Sequence, residues 1–358
     1  MSTVLALAPM QGILDGLMRG LYAEVGGMDY CVTEFIRVSY HPLSEGTLLR
    51  DCPELERGCL AGAGVPVHVQ LLGGLPEPMA KTAELVARLG AQVIDLNFGC
   101  PVKRVNRNDG GAALLRAPER IEAIVAAVRD AVPDQVPVSA KIRLGWDSPA
   151  EVERLCAAVQ AGGASWITVH GRTRVQAYSG QADWPAIARA RLSTRLPVVA
   201  NGDIVTPDDL ARCAAVTGCD RFMVGRAALR RPEIFRVLRG QEGWWPWWRR
   251  LGLVRELLRR CTVHRPLHDT FGLGKAKGWC ALMAADDPHI NEVFQRLKRV
   301  QRLSEAEALL DTAIAVGRTP GPPSEDPSAA RPHQARVSLP PRVAAQSSFP
   351  LPWERGQG

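Results

Sequence analysis

Short apolar runs alternate with amphipathic stretches over the first 225 residues of the chain. In the stretch 118–130, for example, Ile121, Ile124, Val125 and Val128 recur at helical spacing. Eight runs between such stretches have the length and apolar character of buried strands: 4–8, 30–33, 66–72, 92–97, 136–143, 165–170, 196–201 and 220–224. Eight strands that alternate with helices predict an α/β protein with a (β/α)₈ TIM barrel. A doubly wound open sheet is the alternative, because periodicity does not show closure.

The strand pattern stops after Gly225, and the chain then becomes helical in pattern and basic. Residues 243–316 predict a second, smaller, all-helical domain behind a barrel domain of residues 1–242. From Gly317 the composition changes to Pro, Ser, Arg and Ala, which cannot bury enough apolar surface to order itself. Residues 317–358 are therefore expected to form a disordered tail.

Positive charge is concentrated in one segment of the chain. The 358 residues carry a net charge of +7, and residues 226–302 hold 17 Lys and Arg against 7 Asp and Glu. This segment predicts a polyanionic partner, with a solvated helical surface as the alternative. Trp244, Trp245, Trp247 and Trp248 lie within it. They indicate either packing between domains, the commoner role, or a platform on which bases stack.

Composition excludes several classes of protein. Hydrophobic residues make up 46% of the chain and charged residues 23%, as in soluble globular proteins. No apolar run reaches the length of a membrane helix, and the first residues lack the basic region of a signal peptide. None of the nine cysteines is spaced CxxC. We therefore expect a cytoplasmic protein with free thiols, no metal and no membrane association. Composition does not give the oligomeric state, and a monomer is the working expectation.

Polar residues end several predicted strands. Period-two alternation places Gln70, Asn97, Lys141, Arg143, His170 and Asn201 at the carboxyl ends of their strands. In a (β/α)₈ barrel this rim carries ligands and chemistry. Six such residues predict a functional site, because buried Lys and Arg side chains need anionic partners.

The loops after the last two strands predict a phosphate site. They read ANGDI and VGRAAL. Glycine lets backbone N–H groups approach a ligand closely, and Arg226 is placed to bind phosphate oxygens in bidentate fashion. Barrels often bind phosphate at these two loops.

Cys100 lies in the loop LNFGCPVKR, just past the predicted rim. Most cysteines are simply small buried residues. Cys100 differs because its loop faces Lys141 and Arg143, and nearby cations lower the pKa of a thiol. This position predicts a proton donor or a nucleophile.

The ordered motifs APMQG, CVTEFIRV, VQLLG, DLNFGCP, KIRLGWD, VHGRT, ANGDI and VGRAAL resemble those of the tRNA-dihydrouridine synthases. The resemblance runs from Leu5 to Trp279. The segments EFIRV and KAKGW are most similar to subfamily C, whose members act on the sixteenth nucleotide of tRNA. The resemblance implies a flavoprotein oxidoreductase that reduces the C5–C6 double bond of a tRNA uridine.

Site residues follow from the resemblance position by position. FMN would be reduced by NADPH or NADH, and Cys100 would protonate C5 after a hydride reaches C6. The positions that match cofactor-binding residues are Pro9, Met10, Gln11, Gln70, Lys141, His170, Asn201, Gly202, Asp203, Gly225 and Arg226. Those that match tRNA-contacting residues are Arg37, Asn97, Arg143, Tyr178, Lys275 and Lys277.

Three departures from the family leave the target uridine open. The loop after Cys100, VKRVNRNDGGA, is more basic than expected, the tryptophan cluster is unusual, and the tail has no counterpart. Three other functions are carried as alternatives. They are an FMN barrel acting on a free pyrimidine, a non-catalytic tRNA-binding protein, and a flavin-free barrel with Lys141 as a Schiff-base lysine.

Overall fold

The computed structural model describes residues 3–106, 110–264 and 269–319. The chain divides into two compact units, Met1–Trp245 and Pro246–Gly358. The boundary lies three residues beyond the predicted end of the barrel domain. Residues 320–358, most of the predicted tail, lie outside the described residues, as do residues 107–109 of the loop after Cys100.

Eight parallel strands of the first unit close into a barrel. The ten strands of this unit are β1 (Val4–Leu7), β2 (Tyr30–Val32), β3 (Ile36–Arg37), β4 (Leu60–Ala61), β5 (Val65–Leu72), β6 (Ile94–Asn97), β7 (Val138–Arg143), β8 (Trp166–His170), β9 (Val198–Asn201) and β10 (Arg221–Val224). Parallel pairing runs from β1 through β2 and β5 to β10, and β10 pairs with β1. The predicted (β/α)₈ barrel is confirmed, and the open sheet is excluded.

Two short strands were not predicted. Strand β3 pairs with the end of β5 in parallel, and β4 pairs with its start in antiparallel orientation. Each has two residues, too few for an alternating pattern to be recognised in the sequence.

Helices follow most barrel strands. They are α1 (Gly16–Val25), α2 (Glu45–Asp51), α3 (Pro76–Arg88), α4 (Lys103–Asn106), α5 (Pro118–Ala131), α6 (Val152–Ala161), α7 (Trp184–Leu192), α8 (Pro207–Thr217), α9 (Arg226–Arg230) and α10 (Ile234–Leu238). The four apolar residues that predicted α5 are all buried. Proline in the first turn, where no amide partner is needed, begins α3, α5, α7 and α8.

Every regular element described in the second unit is a helix. These are α11 (Trp247–His264), α12 (Asp269–Ala284), α13 (Pro288–Leu297) and α14 (Leu303–Arg318). A Cβ on Gly317 of α14 would lie 2.5 Å from the Cβ of Trp248 and 2.7 Å from Cζ2 of Trp247. The Trp247 ring also stacks on His289. These two tryptophans therefore pack inside the unit. No helix within the described residues is long and apolar enough to cross a membrane.

A buried ion pair joins α1 to the short 3₁₀ helix Pro53–Arg57. Arg19 donates from Nε and Nη2 to the two carboxylate oxygens of Glu54, at 2.8 and 2.6 Å, and from Nη1 to the carbonyl of Leu14 at 2.6 Å. Both side chains are buried. Burial alone would raise the pKa of Glu54, but the hydrogen bonds and charge of Arg19 hold it below its ordinary value. The pair is satisfied, so losing one partner leaves a buried charge uncompensated.

Replacement of Glu54 by Gln is expected to destabilise the first unit by about 3–5 kcal/mol, because Arg19 stays charged in the core. Denaturant unfolding at pH 7 measures the change. The difference from the unchanged protein should shrink as pH falls below about 4, since protonation then neutralises Glu54 as well. Glu77→Gln, in the exposed pair with Lys81, is the control and should change nothing measurable. Equal effects of the two substitutions would contradict the prediction.

Candidate active site

Polar side chains fill the interior of the barrel near the carboxyl ends of its strands. Gln70 on β5 donates from Nε2 to Asp95 on β6 at 2.6 Å, and Ser139 on β7 donates to the other oxygen of Asp95 at 2.6 Å. Burial raises the pKa of the Asp95 carboxyl, against the hydrogen bonds from Gln70 and Ser139. The three strands are therefore tied together by side chains as well as by their backbone ladder.

Asn97 connects this network to the loop that carries Cys100. Its Nδ2 donates to Gln70 Oε1 at 2.8 Å, and its Oδ1 accepts from the backbone N–H groups of Gly99 and Cys100, both at 3.0 Å. The Asn97 side chain is thus bound both to the barrel interior and to the loop after β6, and these bonds fix the path of the chain there.

The Cys100 thiol is buried and protonated at neutral pH. It packs with Leu72 and Val105, and half-buried Phe35 and Val102 lie against the same cluster. Burial raises the pKa of Cys100, although a backbone hydrogen bond at Val102 and the charge of Arg143 oppose the rise. The charge of Arg143 lowers the pKa of Cys100 as expected, but desolvation outweighs it, so the expected net lowering is wrong. A protonated thiol is a proton donor and not a ready nucleophile.

Arg143, at the end of β7, holds two loops together. Its Nε donates to the carbonyl of Gly99 at 2.7 Å, and its Nη1 donates to the carbonyls of Thr173 and Ala177 at 3.1 and 2.8 Å. Burial lowers its pKa to about 10, so it remains charged at neutral pH. The guanidinium that sequence places among RNA contacts therefore also positions the Cys100 loop.

Lys141 and His170 occupy neighbouring strands of the same rim. Lys141 donates from Nζ to Asn201 Oδ1 at 3.0 Å, and Asn201 donates to the carbonyl of Met223 at 2.8 Å. Burial, reinforced by the charge of Arg143, lowers the pKa of Lys141 to about 8. Burial and the surrounding cations lower the pKa of His170 well below its usual value, so its imidazole is neutral.

The loops after β9 and β10, which contain Gly202, Asp203 and Gly225, border a small space that we call the cradle. Gly202 and Asp203 both have positive φ, and a Cβ on Gly202 would lie 2.9 Å from Ala182. A Cβ on Gly225 would meet only Ala8 at 3.5 Å and Met10 at 3.8 Å. The loops after β1 and β10 are therefore adjacent, and a methyl group at Gly225 would make only ordinary van der Waals contacts.

Charged side chains border this cradle. Buried Arg172 binds both oxygens of Asp203 through Nη2, at 2.8 and 2.7 Å, while its buried Nη1 has no hydrogen-bond partner among the described residues. Half-exposed Arg226 reaches Asp203 at 3.4 Å. The unsatisfied Nη1 of Arg172, the half-exposed guanidinium of Arg226 and the glycine backbone form a donor set that suits a phosphate group. The residues present therefore fit the phosphate end of a nucleotide cofactor.

The remaining residues of the first cofactor loop form a turn. The Met10 carbonyl accepts from the N–H groups of Ile13 and Leu14, and Gln11 is exposed at the tip beside Pro9. These residues belong to the loop after β1, next to the cradle.

The predicted RNA contacts are distributed over both units. Arg37 lines a 180 Å³ pocket with Tyr40, Gly73 and Val105. Tyr178 lies near the guanidiniums of Arg143 and Arg226, at 5.5 and 5.3 Å from its ring centre.

Lys275 and Lys277 lie on α12 of the second unit. Lys277 donates to the carbonyl of Val300 at 2.5 Å, and the Lys275 ammonium lies 5.7 Å from the Phe271 ring. The barrel thus brings together Arg37, Asn97, Arg143 and Tyr178 within one unit, whereas the two lysines belong to the other.

Sequence reasoning missed three buried groups of the site: Asp95, Ser139 and Arg172. Period-two alternation puts Asp95 on the face of Asn97 and Ser139 on the face of Lys141, so the signal was present. Arg172 follows His170 by two residues and continues the same alternation past the strand end. No group of three or more His, Cys, Asp or Glu side chains in the described parts of the chain could hold a metal ion. All nine cysteines are buried free thiols, as predicted.

The sequence matches one protein family over most of its length. Residues 6–309 match the model of the dihydrouridine synthase (Dus) family. The chain is 41% identical over 317 residues to a tRNA-dihydrouridine(16) synthase of Pseudomonas putida, which covers 87% of this chain and 98% of that one. It is 42% identical over 296 residues to the protein of that name from Vibrio parahaemolyticus, at 82% and 90% coverage.

Solved structures share the barrel fold. A histamine dehydrogenase from Rhizobium sp. 4-9 superposes with a TM-score of 0.52 at 17% identity, covering 66% of this chain and 46% of that one. A 2-naphthoyl-CoA reductase gives a TM-score of 0.51 at 10% identity, covering 65% and 50%. These likenesses establish the fold of the first unit.

Replacement of Arg143 by Lys is expected to loosen the Cys100 loop, because one ammonium cannot reproduce the guanidinium fork that bonds Gly99 and the loop after β8. Loss of one charge-assisted hydrogen bond, about 1.5 kcal/mol, raises the open population about tenfold. Alkylation of Cys100, followed by peptide mass spectrometry, should accelerate by that factor.

The matched control is Arg129→Lys. Arg129 also binds three carbonyls, those of Val132, Pro133 and Val136, but at the amino end of β7. It should leave Cys100 alkylation unchanged. Equal rates in both variants would show that Arg143 does not position the loop.

Proposed function

Because the chain belongs to the dihydrouridine synthase family, we propose that it reduces the C5–C6 double bond of a uridine in tRNA to 5,6-dihydrouridine. The observation that carries this proposal is the buried Cys100 thiol, in a loop whose backbone is bound by Asn97 and Arg143 at a rim where cationic side chains converge. Reduction of a double bond needs a hydride and a proton, and this thiol supplies the proton.

Protein side chains carry no transferable hydride, so the reaction needs a redox cofactor, for which we propose FMN. When bound and reduced by NADPH or NADH, FMN would supply a hydride for C6 of the uracil ring. Gln70, Lys141 and His170 would lie against its ring system. Asn201, Gly202, Asp203, Gly225 and Arg226, with the loop Pro9–Gln11, would hold the phosphate end.

Cys100 completes the addition by donating its Sγ proton to C5. The C–H bond forms as the S–H bond breaks, and the electron pair of that bond stays on sulfur. The charge of Arg143 favours the resulting thiolate, and solvent returns the proton before the next turnover. Neutral His170 adds no positive charge beside the reacting ring, whereas Lys141, with its pKa lowered to about 8, stays largely protonated at neutral pH.

The substrate is proposed to be a tRNA whose target base leaves its stack to enter the barrel, as base-modifying enzymes require. Residues 226–302, with 17 Lys and Arg, supply phosphate contacts, and Lys275 lies on the helical unit that we assign to tRNA binding. We assign nucleotide 16 as the target, after the relatives that carry this position in their names.

The deciding experiment supplies the protein with FMN, NADPH and an unmodified tRNA transcript, and follows a mass gain of about two daltons per modified uridine, which is the mass of two hydrogen atoms. A transcript with cytidine at position 16 should lose the product. Free uridine and uracil form the competing arm: turnover of these, with none on tRNA, would favour an enzyme of free pyrimidines instead.

Substitution of Cys100 by Ala should lower dihydrouridine formation by roughly 10²–10⁴-fold while leaving flavin and tRNA binding intact, because the general acid is lost. Single-turnover assays on unmodified tRNA measure it. Cys213→Ala, which removes a buried thiol of α8, is the control and should keep nearly full activity. Full turnover by the Cys100 variant would remove this thiol from the mechanism.

Gly225→Ala tests the cradle without breaking the fold, because the added methyl meets Ala8 and Met10 only at ordinary contact distances. Its methyl would occupy space beside Arg226, so FMN affinity should fall roughly tenfold, the loss expected from about one charge-assisted hydrogen bond. Flavin fluorescence titration measures it, and thermal unfolding of the apoprotein checks the fold. Gly46→Ala, in an open position of α2, is the matched control.

A colourless protein that takes up no added FMN would contradict the flavin assignment altogether. Such a protein would favour the flavin-free barrel, in which Lys141 forms a Schiff base with substrate. Borohydride trapping of a substrate on Lys141 would then identify that alternative.

A further inference from the structure

Two guanidinium groups lie over the indole ring of Trp146, in the loop after β7. The Cζ of Arg116 lies 3.5 Å from the ring centre, and the Cζ of Arg174 lies 4.8 Å from it. Arg116 ends the 3₁₀ helix Gly111–Arg116, and Arg174 lies in the loop after β8. Three separate segments of the rim therefore place two positive charges on one aromatic ring.

Backbone hydrogen bonds hold this arrangement in place. The N–H of Arg174 donates to the carbonyl of Gly145, and the N–H of Val175 donates to the carbonyl of Trp146, both at 2.9 Å. The loops after β7 and β8 are thus paired where the stack forms. These bonds fix Arg174 beside Trp146, whereas Arg116 reaches the ring from the end of its own 3₁₀ helix.

Neither cation is neutralised within the described residues. Arg116 is exposed and Arg174 half-buried, and no carboxylate there accepts a hydrogen bond from either. The Nε of Arg174 is buried without a hydrogen-bond partner. Arg172, two residues earlier, is by contrast bound through Nη2 to both oxygens of Asp203. Neither guanidinium of the stack therefore has a carboxylate partner among the described residues, whereas Arg172 has one.

The surroundings point to RNA as the source of that anion. Val175 and Tyr178 of the same loop are 60% and 48% exposed, so apolar surface lies beside the cations in solvent. Alternating cations and exposed apolar or aromatic groups suit a chain that alternates phosphates with sugars and bases. The loop is also tied to the Cys100 site, since Arg143 binds the carbonyl of Thr173 next to Arg174.

We propose that Arg116 and Arg174, presented on Trp146, bind backbone phosphates of the RNA substrate near the target nucleotide. The assignment rests on the proposed function and extends it to a site on the barrel itself. Guanidinium is suited to the role because its fork matches phosphate oxygens while its face stays on the indole. Each guanidinium would contact one phosphate and release its counterions on binding.

The test compares binding of an unmodified tRNA transcript to the full-length, flavin-loaded protein over a salt series. Arg116→Gln with Arg174→Gln should weaken binding and lower the slope of log affinity against log salt by about 1.4–1.8, at about 0.7–0.9 per lost contact. Arg116→Gln alone, at an exposed position that the fold does not need, should lower it by about half as much. The flavin absorbance spectrum should not change.

The matched control is Arg88→Gln with Arg195→Gln. Both residues are exposed and lie before β6 and β9, at the amino ends of the strands, opposite the rim. This pair removes the same charge and should leave the slope unchanged. Equal slopes for the control and the rim variants would overturn the proposal, because only net charge would then matter.

Two further results would also overturn the phosphate site. One is an unchanged slope in the rim variants with a lowered unfolding temperature, which would make the stack a packing element. The other is weaker binding with an unchanged slope. Failure of the proposed function is seen separately, as an unsubstituted protein that binds tRNA yet forms no dihydrouridine.

Discussion

The side chain of Asn97 is the constraint on which the candidate site depends. Its Nδ2 is bound to Gln70 inside the barrel, and its Oδ1 binds the two amides that lead into Cys100. A carboxylate at this position could not donate to Gln70, and an apolar residue would leave buried amides unsatisfied. Cys100 is therefore positioned by the barrel interior, because its loop is hydrogen-bonded to Asn97 on β6, which is in turn bound to Gln70 on β5.

Burial sets the protonation states around that thiol more than charge does. Desolvation raises the pKa of Cys100, lowers that of Lys141 to about 8, and keeps His170 neutral. All three groups are thereby moved toward their uncharged forms at neutral pH. A site of this kind holds a proton on sulfur, which suits proton donation better than thiolate attack.

Much of the site was predictable, because alternation with period two needs only the strands to be recognised. It placed Gln70, Asn97, Lys141, His170 and Asn201 on one rim, where the structure has them. The direction of the Cys100 pKa was not predictable, since it depends on how completely a loop is desolvated. Nor were the carbonyls that Arg143 binds, because they come from loops without periodic pattern.

The cations of the rim divide by burial into two groups with different physical roles. Buried Arg143 binds backbone carbonyls, and buried Arg172 binds Asp203, so both guanidinium groups hold loops in place. Arg116 and Arg226 are more exposed, and the ion pair that Arg226 makes with Asp203 is long, at 3.4 Å. An enzyme that acts on a polyanion needs both groups of cations. A loop that was held only by contacts between its cations and the substrate would lose its shape whenever the substrate left. Fixing the Cys100 loop through internal carbonyls keeps the proposed proton donor in place before any RNA arrives.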